Sequence, residues 1–322
     1  MRQLVLLVCL VLLSSVAYAW PRLAGGATDP FLYTADWLSY MIMVTMLAIG
    51  WMLPVDEVRR VAGAWPTVIG GTTVQFLSMP LLAWTMGKLF GLEGDTMLGI
   101  VMVGCVPGAM ASNVLTLMAR GNVSYSVSLT TIATLLSPLV VPLGLWLAVD
   151  REVGFSSVGQ VLQASWQLCW MVVIPVVVGF MIGRRLPAWE TTVRRAGTLI
   201  ANAVILWVIA VVVARNRDLL GEIPGQLLRA LLCVNVLGYL AGALGSRLMR
   251  LPPAMRRALT LEVGMQNAGL GATLALELFP DRPATAIPAA AYTFGCMLTG
   301  SLLAAWWGWR WGERADSVDD VA

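Results

Sequence analysis

Histidine is absent from this chain. That absence excludes imidazole proton relays, histidine metal ligands and Ser-His nucleophilic catalysis together. Charge is scarce as well: Asp, Glu, Lys and Arg make up 12% of the residues, against 58% hydrophobic. A soluble domain carries roughly 25% charged residues, so composition excludes a soluble fold. Cys9, Cys105, Cys169, Cys233 and Cys296 all fall inside apolar runs, and none forms a Cys-x-x-Cys pair. They read as small buried apolar residues rather than a metal or redox centre. Asp-rich metal motifs and paired intramembrane Asp residues are missing too, which removes prenyl transfer and aspartyl proteolysis. No low-complexity linker or soluble insertion interrupts the chain, and the net charge of +3 says little by itself.

What remains is a series of long apolar runs. Ten are expected, near 4–20, 31–53, 66–87, 96–119, 122–149, 161–183, 197–214, 226–249, 258–279 and 284–308. Crossing a bilayer takes about 20 apolar residues as a helix, so the pattern predicts an all-α polytopic membrane protein. The first run has two readings: Arg2, an apolar stretch and Ala17-Tyr18-Ala19 resemble a secretory signal, and the same residues suit a short first span. With the amino terminus inside, most arginines lie in loops on that side, among them Arg59, Arg60, Arg120, Arg184, Arg185, Arg194, Arg195, Arg247, Arg250, Arg256 and Arg257. Arg22, Lys88, Arg151, Arg215, Arg217, Arg229 and Arg282 lie on the other. This asymmetry predicts both termini in the cytoplasm and an inner-membrane location. The cluster Trp306-Trp307-Gly308-Trp309-Arg310-Trp311 reads as an interfacial aromatic belt on that side.

Acidic residues single out one stretch. Most lie in loops or in the tail of Asp316, Asp319 and Asp320, and Asp36 and Glu277 sit near segment ends. Glu262 alone has apolar sequence on both sides, in Leu261-Glu262-Val263-Gly264-Met265-Gln266-Asn267. A charged side chain at that depth costs at least about 2.5–3.5 kcal/mol, so it persists where it has a partner or a task. Gln266, four residues on, shares its face if the helix is continuous. Gly264 and Gly269 make unwinding easy, which would add backbone carbonyls. Carboxylate, amide oxygens and carbonyls form a hard, oxygen-only ligand set suited to Na⁺.

A second polar stretch, Gly104-Cys105-Val106-Pro107-Gly108-Ala109-Met110-Ala111-Ser112-Asn113, predicts a helix broken at Pro107-Gly108. If helix resumes at Ser112-Asn113, its first amides face the cavity and attract an anion. The next segment puts Ser126 and Thr130 on one face, with Thr131 and Thr134 nearby. Such hydroxyls often bond back to their own helix, but here they would meet Ser112-Asn113. Gln75 is a single amide within the third segment. Each half of five segments has its interrupted polar segment fourth, and an odd number of spans inverts the second copy. Paired interruptions in inverted halves point to a secondary-transporter site at the midplane.

Gly104-Cys105-Val106-Pro107-Gly108 through Ala111-Ser112-Asn113-Val114, then Ala119-Arg120-Gly121-Asn122-Val123, Ser137-Pro138-Leu139 and Glu262-Val263-Gly264-Met265-Gln266-Asn267 closely resemble the bile acid:sodium symporter family. The resemblance runs from about Asp36 to Trp307. It implies ten transmembrane helices in two inverted five-helix repeats, 1–155 and 156–310, with a short cytoplasmic tail at 311–322. It also implies a core and a panel domain, the fourth and ninth helices unwound and crossing, and residues 4–20 kept as a span. Carried over, one Na⁺ site would use Ser112, Asn113, Ser126, Thr130 and Glu262. A second would use Gln75, Glu262 and Gln266 with the carbonyls of Val263 and Met265. Met110, Ala111 and Asn267 would touch the substrate. Met110 replaces the usual small hydroxyl residue, and Cys296-Met297 replaces a polar pair of the bile acid carriers, which makes the pocket more apolar. The function implied is sodium symport of an organic anion, either a small acid of pantoate or 2-oxo acid type or a steroid like a bile acid. The partners are then the anion, Na⁺ and the lipid bilayer, with no nucleic acid. The rival readings are a proton-coupled carrier in which Glu262 titrates, and a sensor that transports nothing.

Overall fold

The computed structural model describes residues 2–24, 27–53, 65–149, 154–186, 189–220 and 224–319. Arg59, Arg60, Arg151 and Asp320, named above, lie outside the described residues. Its longer helices begin with α1 Arg2–Leu23, α2 Leu38–Trp51, α3 Trp65–Leu89, α4 Gly94–Cys105, α5 Ala111–Met118 and α6 Val123–Ala148. They continue with α7 Val158–Leu168, α8 Ile174–Arg185, α9 Glu190–Arg215, α10 Gly225–Leu248, α11 Pro253–Gly264, α12 Ala268–Leu278 and α13 Ile287–Asp319. No strand occurs among the described residues; Gly108 and Gln266 form an isolated antiparallel bridge.

Among the described residues, seven helical stretches are long and apolar enough to cross a membrane: Val5–Leu23, Pro30–Trp51, Val123–Ala148, Val158–Arg185, Ala196–Arg215, Gly225–Leu248 and Pro283–Arg310. Two further apolar helices, α4 and α12, have 12 and 11 residues and are too short to span alone. Each expected apolar run coincides with one helix or with a broken pair. The ends differ most in two places: α9 starts at Glu190 rather than 197, and α13 continues to Asp319 rather than stopping at 308.

The surface is inverted relative to a soluble protein. Leu77, Leu139, Leu147, Leu162, Leu240 and Leu244 are more than half exposed, whereas Ser112, Thr116, Ser126, Glu262 and Thr273 are fully buried. Lipid removes the penalty for apolar exposure and imposes one on exposed backbone and polar groups, so the polar residues turn inward.

Helix contacts fall into two groups. In one, α2 packs on α8 and α9, and α1 packs on α9. In the other, α3 packs on α4, α6 and α10, α10 packs on α11, and α13 packs on α4, α5, α10 and α12. Small residues allow the closest approach. A Cβ on Gly50 of α2 would lie 1.9 Å from the Val176 carbonyl oxygen, and one on Gly179 of α8 would lie 2.0 Å from that of Leu47. Such backbone proximity maximises dispersion where no hydrophobic effect drives association. Between α7 and α8 the helix widens, and the Ile174 N–H reaches back to the Cys169 carbonyl. Pro175 follows and has no N–H with which to continue the regular ladder.

The stretch Ala119–Val123 is a stop and a start. Arg120 takes a left-handed conformation (φ 52°), and the Gly121 N–H donates to the Thr116 carbonyl at 2.7 Å. Asn122 then caps α6, its Oδ1 accepting the Tyr125 N–H at 2.9 Å. This turn sets the hydroxyls of α6 against α5.

Candidate functional site

Two interruptions build the site. Pro107 has no N–H to donate and pushes its predecessor out of helical space. Val106 is accordingly extended (φ −69°, ψ 156°), and α4 ends there. The second interruption follows Gly264: Met265 is extended (φ −111°, ψ 90°), and Asn267 caps α12 by accepting the Leu270 N–H at 3.1 Å. The two links run antiparallel and satisfy each other. The Ala109 N–H donates to the Met265 carbonyl at 2.7 Å, and the Asn267 N–H donates to the Pro107 carbonyl at 2.7 Å. Non-helical backbone at this depth would otherwise leave orphaned groups costing several kcal/mol each. Each break is therefore the other's hydrogen-bond partner.

Glu262 lies on the last turn of α11 with 0% exposure. Its Oε2 accepts the Ser112 hydroxyl at 2.6 Å and the Ser126 hydroxyl at 3.3 Å. Its Oε1 accepts the Thr130 hydroxyl at 2.6 Å. Gly108 also packs closely on the carboxylate, where a Cβ would stand 2.1 Å from Oε1. The ion pairs seen among the described residues, Asp29–Arg217, Asp36–Arg215 and Asp95–Arg282, all lie elsewhere. Hydroxyls from two helices surround this carboxylate.

Beside it, Gln75 Nε2 donates to Gln266 Oε1 at 3.4 Å, and Gln266 Nε2 donates to the Val263 carbonyl at 2.9 Å. Gln75 Oε1 and Asn113 Oδ1 are buried oxygens without a hydrogen-bond partner. An orphaned buried acceptor costs about 1–3 kcal/mol, and a cation is one thing that removes the cost. One orphan belongs to each of the two expected ligand sets, so the residues present suit Na⁺, which takes neutral oxygens together with a carboxylate.

A cavity of about 510 Å³ adjoins the crossing. Met110, Ala111, Asn113, Gln266 and Asn267 line one wall, and Met46, Ile49, Asn202 and Ile205 line another. Thr293, Cys296 and Met297 contribute from α13, and among the described residues no Asp, Glu, Lys or Arg lines the cavity.

The structure adds three details to these expectations. Glu262 and Gln266 would share a face only on a continuous helix; α11 instead ends at Gly264, and Gln266 pairs with Gly108 across the break. The amides of Ser112 and Asn113 do not point free into the cavity, since they donate to the carbonyls of Ala109 (3.0 Å) and Met110 (3.2 Å). The Asn267 side-chain oxygen is committed to its cap, although the residue lines the cavity. Reasoning from sequence also missed Thr116, whose hydroxyl donates to Ser126 at 3.3 Å, and Gly108 as the close neighbour of Glu262. It missed Asn235 as well, a buried carboxamide within the apolar run of α10 that the argument applied to Gln75 would have flagged.

An all-helical membrane protein with two short apolar half-helices meeting over a buried oxygen-rich site belongs to the class of membrane transporters, not enzymes. A family model for the sodium bile acid symporter family matches residues 39–223. An uncharacterised sodium-dependent transporter of Bacillus subtilis, YocS, is 31% identical over 290 residues, covering 88% of this chain and 87% of its own. A probable chloroplastic sodium/metabolite cotransporter of Arabidopsis thaliana is 30% identical, covering 85% of this chain and 67% of its own. The hepatic sodium/bile acid cotransporter of rat is 26% identical, covering 81% of this chain and 72% of its own. The chain belongs to the sodium bile acid symporter family.

Proposed function

We propose that the protein is a sodium-coupled symporter that takes up an organic anion by alternating access. The anion is a small carboxylate or a larger amphipathic acid such as a bile acid. The observation that carries this reading is Glu262, fully buried and ringed by three hydroxyls, with orphaned amide oxygens on Gln75 and Asn113 nearby. One ion would be held by Ser112, Asn113, Ser126, Thr130 and Glu262. A second would be held by Gln75, Glu262, Gln266 and the carbonyls of Val263 and Met265. The carbonyls of Val263 and Met265 each accept one hydrogen bond and keep a second lone pair for an ion.

In this reading the chain is two inverted repeats, 1–155 and 156–310, with α4–α5 and α11–α12 as the unwound fourth and ninth spans of ten. The group of α1, α2, α8 and α9 acts as the panel, and the remainder acts as the core. Both termini face the cytoplasm of the inner membrane. Sodium would neutralise Glu262 and tie α5, α6 and α11 together. That would order the wall of the cavity formed by Met110, Ala111 and Asn267, where the anion binds. Two Na⁺ with one monoanion move net positive charge inward, so the membrane potential contributes about 2.3 kcal/mol per charge per 100 mV.

Uptake of radiolabelled carboxylates into proteoliposomes tests the reading. An inward Na⁺ gradient drives accumulation, and an inside-negative potential increases it. Accumulation that follows a pH gradient and ignores Na⁺ contradicts the reading and favours Glu262 as a proton carrier.

A further inference from the structure

A second buried polar network touches the break in the ninth segment from behind. Gly264, the last helical residue of α11, offers its carbonyl to two donors: Asn235 Nδ2 of α10 at 2.9 Å and the Tyr292 hydroxyl of α13 at 2.8 Å. Thr299 of α13 donates to Asn235 Oδ1 at 2.7 Å, and its oxygen lies 3.1 Å from the Tyr239 hydroxyl. Asn235 and Tyr292 are buried. With Thr299 holding the amide oxygen, the amide nitrogen of Asn235 donates to the Gly264 carbonyl and also lies 3.4 Å from the Tyr292 hydroxyl.

We propose that Asn235, Thr299 and Tyr292 are positioning residues for the second sodium site, acting through the Gly264 carbonyl on the flanking carbonyls of Val263 and Met265. The inference rests on the sodium-symport reading above. The last carbonyls of a helix have no partner within it, and at mid-membrane depth water does not supply one. Gly264 must be glycine because the Tyr239 ring packs against it, where a Cβ would stand 2.1 Å from Cδ1. Glycine leaves the backbone free to rotate where the two proposed carbonyl ligands need fixed directions. Two hydrogen bonds to the intervening carbonyl remove that freedom. Turning the Gly264–Met265 peptide plane would break both, and the setting of that plane fixes the ψ of Gly264 and the φ of Met265 that relate the carbonyls on either side of it. The network therefore holds the Val263 and Met265 carbonyls at the angles the ion uses, without touching the ion.

The test is sodium binding to purified protein in detergent. The probe is NaCl, with choline chloride keeping ionic strength constant, and the readout is the sodium-dependent rise in melting temperature. Tyr292→Phe and Thr299→Val each remove one hydroxyl, whereas Thr299→Ser keeps the donor. Both hydroxyl-deleting variants should raise the half-saturating Na⁺ concentration by roughly 3- to 10-fold. Thr299→Ser should stay within about twofold of wild type, and in proteoliposomes the maximal rate at saturating Na⁺ should be nearly preserved. A merely structural role predicts a lower melting temperature in choline with the half-saturation point unmoved, and that result overturns the proposal. A wild-type protein with no sodium-dependent stabilisation overturns the symport reading itself, and the positioning role with it.

Discussion

The broken ninth segment carries two carboxylates whose surroundings differ. Glu262 ends α11, is fully buried and accepts hydroxyls from α5 and α6, with the backbone of Gly108 against it. Glu277 sits near the end of α12, is half-buried and accepts the Ser39 hydroxyl of α2 and Gln167 Nε2 of α7. The first gathers its oxygens from elements that meet at the crossing, all within one group of packed helices. The second reaches across, to a helix of the other group. A carboxylate surrounded by neutral oxygens, with further orphaned oxygens nearby, has the makings of a cation site. One at a helix end held by a hydroxyl and an amide is a tie between elements.

The largest effect expected from this contrast is on sodium-driven uptake. Glu262→Gln should reduce it more than about 100-fold, because ligand loss exceeds the 10–100-fold cost of disturbing a ligand's supporting partners. Flux under a fixed Na⁺ gradient measures this, and residual flux above a tenth of wild type would break the contrast. Gly108→Ala comes next. Its Cβ overlaps Glu262 Oε1, and overpacking of this kind costs about 1–3 kcal/mol. The variant should melt at lower temperature and also lose sodium-dependent stabilisation. Thr130→Val and Ser112→Ala each remove one hydroxyl from the carboxylate. A hydrogen bond to a charged group is worth about 1.5–3 kcal/mol, so each should raise the half-saturating Na⁺ about tenfold or more. The smallest effect belongs to Glu277→Gln. Half-saturation should stay within about twofold of wild type while the turnover rate changes, since this residue ties α12 to α2 and α7. A Glu277→Gln variant whose sodium affinity collapses would erase the distinction drawn here.

Much of this was legible in the residues themselves. Pro107-Gly108 announces one break, Gly264 marks the other to within a residue, and the isolation of Glu262 among apolar neighbours singles out the carboxylate that the structure buries among three hydroxyls. What escaped depends on contacts between distant parts of the chain. Nothing local says that the Ala109 and Asn267 amides find their acceptors in each other's break, or that Gln266 leaves the face of Glu262 to pair with Gly108. Asn235, Tyr292 and Thr299 look like isolated polar residues in two apolar runs until Gly264 brings them together. Helix ends were the least legible feature: α13 continues past its expected stop at 308 to Asp319, running through Gly308 and Gly312 without ending at either.

Equilibrium sodium binding tests the central claim most directly. Purified wild-type protein and Glu262→Gln are titrated with NaCl at constant ionic strength while tryptophan fluorescence is recorded. Saturable binding by the wild type and none by the variant is the predicted result; indistinguishable curves would contradict the account.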